Sequence, residues 1–243
     1  MKKITIGFVA MMLVLCLAQG AMAKINATAG ISIGRESRFY DIDDGDRTHE
    51  ISGFTIELFG DIYLANRISV GLGASTLIGS WKDSNLPNPT NPILENSYRV
   101  DLYGKYDLIV GYNYKVGAQV GVSYDRMKTR MNTYNSVFIA PGVFGSIELL
   151  PKLNLSADIK IPLGVWYTLK GNPTDAYFFK LFLIDAKIDL TYEVMTNVNV
   201  GIEAKIGNVN AYRIDMYKQS LRFSSKYVSK PAWNIGLKAE YKF

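Results

Sequence analysis

The last eleven residues, Trp233-Asn234-Ile235-Gly236-Leu237-Lys238-Ala239-Glu240-Tyr241-Lys242-Phe243, alternate apolar and polar side chains without a break. Because successive side chains of a β-strand point to opposite faces of a sheet, this pattern predicts a strand with one apolar and one polar face. The same alternation recurs from residue 24 onward, and no convincing 3.6-residue period competes with it. The sequence therefore predicts an all-β protein.

Ten segments of this kind are predicted to be strands, and eight strands are the alternative. The ten predicted strands cover residues 25–35, 52–64, 68–81, 98–110, 114–125, 137–149, 153–167, 179–194, 198–207 and 233–243. The connections between them alternate strictly in length. Four are short (65–67, 111–113, 150–152 and 195–197) and five are long (36–51, 82–97, 126–136, 170–178 and 208–232). Ten antiparallel strands with four short turns at one end and five long loops at the other fit a closed up-and-down barrel.

The amino terminus has the three parts of a secretory signal peptide. Lys2 and Lys3 are positive, an apolar run follows to Ala18, and Ala21-Met22-Ala23 supplies a small-residue cleavage site. We expect residues 1–23 to be a signal peptide and residues 24–243 one outer-membrane barrel domain. The only cysteine, Cys16, lies inside the apolar run, so the exported part would have no disulfide.

Alternation alone does not distinguish a membrane barrel from a soluble sandwich or lipocalin-like barrel. The spacing of aromatic residues on the apolar faces favours the membrane. Tyr114 and Tyr124, Phe182 and Tyr192, and Trp233 and Phe243 each lie ten residues apart near predicted strand ends. At about 3.3 Å per residue and roughly 45° tilt, ten residues rise about 23 Å, close to the apolar band of about 25 Å between aromatic girdles.

The final strand resembles the terminal strand of bacterial outer-membrane β-barrels. The resemblance rests on the terminal aromatic residue and the alternate apolar residues before it: Phe243, Tyr241, Ala239, Leu237, Ile235 and Trp233. It implies an outer-membrane location and recognition of this strand by the barrel-assembly machinery, with Tyr241 and Phe243 as the assembly signal. In pattern the resemblance covers the whole chain after residue 23, but no specific subfamily is matched.

Charged residues of both signs fall on the faces predicted to point into the barrel. An eight-stranded barrel is just wide enough for side chains to fill, so ten strands should enclose a network of paired charges with at most a narrow aqueous path. The predicted lumen network is Glu57, Asp61, Arg99, Asp101, Lys105, Asp107, Lys115, Asp158, Lys160, Asp185, Lys187, Asp189, Glu203 and Lys205, with Glu148, Lys238 and Glu240 on the same faces. A plug of paired charges is preferred to a small-solute or ion channel.

The last long loop is basic and rich in aromatic residues. Its cations are Arg213, Lys218, Arg222, Lys226 and Lys230, and only Asp215 opposes them. Such a loop would bind lipopolysaccharide phosphates or external polyanions. Alternatively, it contains continuations of the ninth and tenth strands beyond the membrane.

Two further candidates lie in the first long loop. The acidic stretch 41–50 has carboxylates for Ca²⁺, but its glycine comes one position too early for a calcium loop, so a solvated loop is preferred. His49 is the only histidine, which makes it the only candidate for a histidine base. Omptin proteases are ten-stranded barrels with an Asp-His pair, yet only a lone histidine near aspartates matches them. A barrel lipid-A deacylase would need a histidine on a strand, whereas His49 is predicted in a loop.

The sequence therefore predicts an outer-membrane barrel that is not an enzyme and that binds lipopolysaccharide or external ligands through its long loops. A narrow porin-like channel is the first alternative and a surface hydrolase the second. We expect no metal, no cofactor and no nucleic-acid partner, since a formal net charge of +5 is too small to indicate nucleic-acid binding.

Overall fold

The computed structural model describes residues 26–41, 48–65, 67–83, 94–129, 133–170, 176–181, 184–209, 212–217, 220–224 and 232–243. The predicted signal peptide lies outside these residues. No helix in the described part of the chain is long and apolar enough to cross a membrane. The strands are β1 (Asn26–Asp41), β2 (Thr48–Ala65), β3 (Ile68–Asp83), β4 (Leu94–Val110), β5 (Tyr114–Thr129), β6 (Thr133–Leu150), β7 (Leu153–Lys160), β8 (Leu163–Lys170), β9 (Ala176–Leu181), β10 (Ile184–Met195), β11 (Val198–Val209), β12 (Tyr212–Tyr217), β13 (Ser220–Ser224) and β14 (Ala232–Lys242).

Ten of these strands close into an antiparallel barrel. Each of β1 to β5 pairs with the next strand. β6 pairs with β7, β7 pairs with β10, and the ring continues through β11 and β14 back to β1. Closure leaves the ring without a free edge. The predicted fold class and the count of ten strands are therefore confirmed.

Four shorter strands extend the wall beyond the ring, at the end away from the short turns. The amino-terminal half of β6 pairs with β8, and β9, β12 and β13 follow in order. The prediction of one unbroken strand over 153–167 was wrong, because β7 ends before Ile161 and Pro162. Proline has no backbone N–H to give to a ladder, while the N–H of Ile161 donates to the carbonyl of Pro141 at 2.8 Å.

The predicted long loops are also shorter than expected. Strand β1 continues to Asp41 and β2 begins at Thr48, so both occupy part of the predicted loop 36–51. Strands β12 and β13 occupy part of the predicted loop 208–232. These two segments are therefore strands rather than loop. Polar residues in the loop concealed two strands: β12 pairs with β9, and β13 pairs with β12.

The short connections are tight turns. Lys152 and Asn197 have positive φ values of 73° and 68°. Asparagine tolerates this left-handed conformation, whereas lysine is disfavoured there by its Cβ. The N–H of Lys152 donates to the Glu148 carboxylate at 3.2 Å, which holds the turn in place. Glu148 is exposed at this turn and therefore lies outside the lumen network.

The barrel is apolar outside and polar inside. Leu237 and Phe54 on the outer face are 70% and 65% exposed, whereas Glu203 and Asn199 inside are 2% and 1% exposed. Tyr114, Tyr192, Trp233 and Phe243 are all exposed, and the rings of Tyr241 and Phe243 pack edge to face at 4.9 Å. Phe182 lies outside the described residues. A large apolar exterior of this kind needs a nonpolar solvent around it.

Candidate functional site: the barrel lumen

The lumen collects the charged residues that alternation assigns to the inner face. All of the predicted network except Glu203 lines a central cavity, and Glu203 is buried in the wall beside it. Lys238 and Glu240 line the same cavity. The residues that line the cavity come from all ten strands of the ring, so the cavity forms only when the barrel closes.

Glu203 on β11 is the centre of the most extensive ion-pair cluster. Its carboxylate lies 3.3 Å from Lys187 Nζ and 3.1 Å from Lys205 Nζ, and it accepts a hydrogen bond from Ser32 Oγ at 2.5 Å. Lys205 also pairs with Glu57 on β2, across the interior of the barrel. These contacts tie β1, β2, β10 and β11 together.

A second branch of the cluster runs through Lys238 on β14. Its Nζ lies 3.5 Å from Asp189 and 3.1 Å from Glu240, and 4.8 Å from the centroid of the Phe59 ring. Asp189 also pairs with Lys187 at 3.4 Å. Buried carboxylates and lysines are stable in such a place only when each charge has a partner, and this branch supplies those partners.

On the wall formed by β4 to β7, lysines also lie beside aromatic rings. Lys105 Nζ lies 3.6 Å from Asp61 and 4.7 Å from the centroid of Tyr103. Lys160 Nζ lies 5.2 Å from the Tyr103 centroid, and Lys115 Nζ lies 5.6 Å from that of Tyr63. These distances are in the range of cation–π attraction.

Hydrogen bonds complete this wall. Arg99 Nε donates to Asp101 at 3.0 Å, and Ser123 donates to the same carboxylate. Gln119 donates to Asp158 at 2.8 Å. The Arg99–Asp101 contact lies within β4, whereas the other two join neighbouring or next-neighbouring strands and so brace the wall circumferentially.

The sequence analysis missed the lumen aromatic residues. Phe59, Tyr63, Tyr103 and Phe144 occupy polar-face positions by alternation, which is the signal that identifies them. Glycines make room for three of the rings. A Cβ added to Gly30 would collide with Phe59, one added to Gly71 would collide with Tyr103, and one added to Gly117 would collide with Phe144. These three rings therefore depend on glycines on neighbouring strands.

The remaining free space is a cavity of about 510 Å³. Its lining reaches from Asp107, Lys115 and Lys242 near the short turns to Ser136 and Trp233 near the other end. A polar space of this size has room for water and small ions.

The remaining sequence candidates lie at the far end of the barrel. His49 is in β2 rather than in a loop, which corrects the prediction, and its backbone pairs with Tyr40 on one side and Asp83 on the other. Arg213 and Arg222 are in β12 and β13, while Lys218, Lys226 and Lys230 lie outside the described residues. Most of the acidic stretch 41–50 also lies outside them. The described part of the chain contains no group of three or more potential metal ligands.

Comparison with known proteins relates the fold to outer-membrane barrels. No known family profile matches the sequence, and no curated protein sequence matches it. The outer membrane protease OmpT of Escherichia coli shares 16% identity and a TM-score of 0.54, over 92% of this chain and 99% of that chain. The transport unit of the E. coli autotransporter AIDA-I shares 14% identity and a TM-score of 0.48, over 92% of each chain. The protein therefore has the fold of bacterial outer-membrane β-barrels.

Proposed function

We propose that the protein is a non-enzymatic surface barrel of the outer membrane whose extension, formed by β9, β12 and β13, binds phosphate groups of lipopolysaccharide. The barrel is the frame that holds this extension, and the lumen network keeps the frame rigid. Export through the signal peptide and insertion through the terminal strand belong to the same proposal.

One observation carries the proposal: the register of the extension. Arg213 pairs with Lys180 on β9 and with Ser224 on β13, and Asp215 pairs with Arg222. Directly paired residues share a face of a sheet, as do residues two apart on one strand. Lys180, Arg213 and Arg222 therefore belong to one face, which has a single acidic residue among them. Lys180 adds a cation that the analysis of the last loop did not include.

Clustered cations of this kind suit a phosphate ligand. Arginine forms paired hydrogen bonds with phosphate oxygens, and three cations on one sheet face can neutralise more than one phosphate. The extension lies at the end of the barrel opposite the short turns. Periplasmic turns are short in outer-membrane barrels, so that end would face the cell exterior, where lipopolysaccharide is present.

The test measures binding of lipid A to the purified barrel in detergent. Replacing Lys180, Arg213 and Arg222 together by Gln should weaken binding of phosphorylated lipid A by at least about tenfold, since each lost charge-assisted hydrogen bond contributes about 1.5 kcal/mol or more. Lys152→Gln, at an exposed turn on the other end, is the matched control. Equal binding of phosphorylated and dephosphorylated lipid A would refute the proposal.

A narrow aqueous path is the second candidate, and the cavity of about 510 Å³ favours it. On this view the lumen passes small ions but excludes sugars. Planar-bilayer recordings would then show discrete openings that change in Lys105→Gln, while liposome-swelling assays would show no sugar uptake. If the recordings show no conductance, they support a barrel that its paired charges close. Sugar uptake would contradict both the closed barrel and the narrow ion path.

The non-enzymatic part of the proposal has its own test. His49 is the only histidine and its backbone partner on β3 is Asp83. The assay measures turnover of peptides or lipid A by the purified protein. Turnover that disappears in His49→Ala would show that the protein is a barrel hydrolase. We expect no turnover.

A further inference from the structure

In the described part of the ring, the outer face has one charged residue between its two aromatic girdles, Arg35 on β1. The other outward positions between the girdles hold apolar or aromatic residues, glycine, proline and Thr76. A charge on the lipid-facing side of a barrel costs free energy that increases with its depth in the bilayer. Ionisable residues in such places are typically functional and have a partner. The position of Arg35 therefore calls for an anionic partner.

The neighbouring residues of β1 show that Arg35 points outward. Ser32 Oγ donates a hydrogen bond to Glu203 inside the barrel, and Glu36 lines the central cavity. Ile33, on the opposite face of the strand, is exposed. Because successive side chains of a strand alternate between the two faces, Arg35 lies on the same face as Ile33. Arg35 is itself exposed, and its side chain forms no hydrogen bond or ion pair with any described residue.

The height of Arg35 places it near the boundary of the apolar band at the end that carries the extension. At the other end, the N–H of Phe243 donates to the carbonyl of Ala27 at 2.8 Å. Arg35 is eight residues beyond Ala27, which at about 3.3 Å per residue and roughly 45° tilt is a rise of about 19 Å. The band is about 25 Å tall, so the backbone of Arg35 lies about 6 Å inside it. An arginine side chain is long enough to bring its guanidinium from there to the head groups.

The surroundings of Arg35 are apolar. Its register partners, Ile235 on β14 and Phe54 on β2, are 62% and 65% exposed. The described outer face has no carboxylate between the girdles, so a second copy of this wall packed against the first would leave both arginines without an opposite charge. Lipid head groups at the boundary of the band can supply that charge, while lipid chains cover the apolar partners. A lipid therefore fits this place better than a second copy.

We infer that Arg35 is a wall site that binds the phosphate head group of an anionic lipid in the outer leaflet. The guanidinium forms paired hydrogen bonds with phosphate oxygens, and Phe54 and Ile235 contact the acyl chains on either side. Strands β1 and β6 are five steps apart in both directions around the ten-stranded ring, and the extension is attached to β6 through β8. The wall site is therefore on the opposite side of the barrel from the extension. This inference rests on the orientation in the proposed function, with the extension outside the cell, but not on the basic face.

The test uses Trp233 as a reporter, because it lies on the same outer face and pairs with Ser37, two residues from Arg35. The protein carries Trp81→Phe and Trp166→Phe and is refolded in phosphatidylcholine vesicles. These contain either brominated phosphatidic acid or brominated phosphatidylcholine, whose bromine atoms quench a neighbouring tryptophan. One arginine at a membrane surface should give phosphatidic acid about a fivefold advantage over phosphatidylcholine beside Trp233. Arg35→Gln should reduce this preference to about one.

The matched control is Arg67→Gln, which removes an exposed arginine from a short turn at the other end of the barrel and should leave the preference unchanged. Heat-modifiable gel migration confirms that each variant is folded. Equal quenching by the two lipids in the protein with Arg35, or a preference that survives Arg35→Gln, would overturn the wall site. Absence of quenching by both lipids, together with a cross-linked dimer, would assign this wall to a second copy and overturn the lipid.

Failure of the wall site is distinguishable from failure of the proposed function. Replacing Lys180, Arg213 and Arg222 by Gln changes the basic face and should leave the preference at Trp233 unchanged. If that triple variant bound lipid A as tightly as the unchanged protein while the preference at Trp233 persisted, the basic face would be refuted and the wall site would stand.

Discussion

Neutralising Glu203 should destabilise the barrel more than any comparable change at its surface. Glu203 is 2% exposed and contacts two lysines and Ser32. Removing one partner of a buried ion pair costs about 3–5 kcal/mol. Lys187 keeps Asp189 at 3.4 Å and Lys205 keeps Glu57, which places Glu203→Gln at the lower end, about 3 kcal/mol.

The assay is urea unfolding of protein refolded in lipid vesicles, followed by heat-modifiable gel migration and tryptophan fluorescence. With a slope of about 3 kcal/mol per molar urea, the midpoint should fall by about 1 M. The control is Glu148→Gln, which removes an exposed glutamate at a turn and should change stability by less than about 0.5 kcal/mol. The effect should persist in high salt, because buried pairs are screened little. Equal midpoints for the two variants would refute the view that the lumen network braces the wall.

Three further outcomes follow from single positions. Gly71→Val should destabilise the barrel by about 1–3 kcal/mol, because the added Cβ collides with the Tyr103 ring. Gly104→Ala should not destabilise it, because there is free space around Gly104. The urea midpoints of the two variants are compared. Lys152→Gly should stabilise the barrel by about 1 kcal/mol through relief of its positive φ, because glycine keeps the backbone N–H that donates to Glu148. An unchanged midpoint would contradict this. Phe243→Ala should lower the fraction of heat-modifiable protein recovered from membranes, and full recovery would refute its role in assembly.

The architecture was largely predictable from local pattern. Period-two alternation identified all ten strands of the ring, and the strict order of short and long connections predicted their closure. The lumen residues were predictable too, since alternation assigns Glu57, Lys187 and Glu203 to the inner face once the apolar face is known to point outward. These features depend on the two-residue period of a strand, which is visible in the order of apolar and polar residues.

The partners within the lumen were not predictable. The contact of Lys205 with Glu57 joins residues from distant parts of the chain, and it depends on strand order, stagger and barrel diameter together. The same holds for the rings over which the lysines lie, because Gly30 and Gly71 allow those rings their positions only after neighbouring strands are in register.

By itself the terminal alternating stretch determined that this chain forms strands with one apolar and one polar face. Period-two patterning is local, and each strand carries it independently. Tertiary structure alone decided that β7 ends before Pro162 and that the register of β7 with β10 continues in that of β8 with β9. Register is a relation between two strands, so no single strand's sequence can state it.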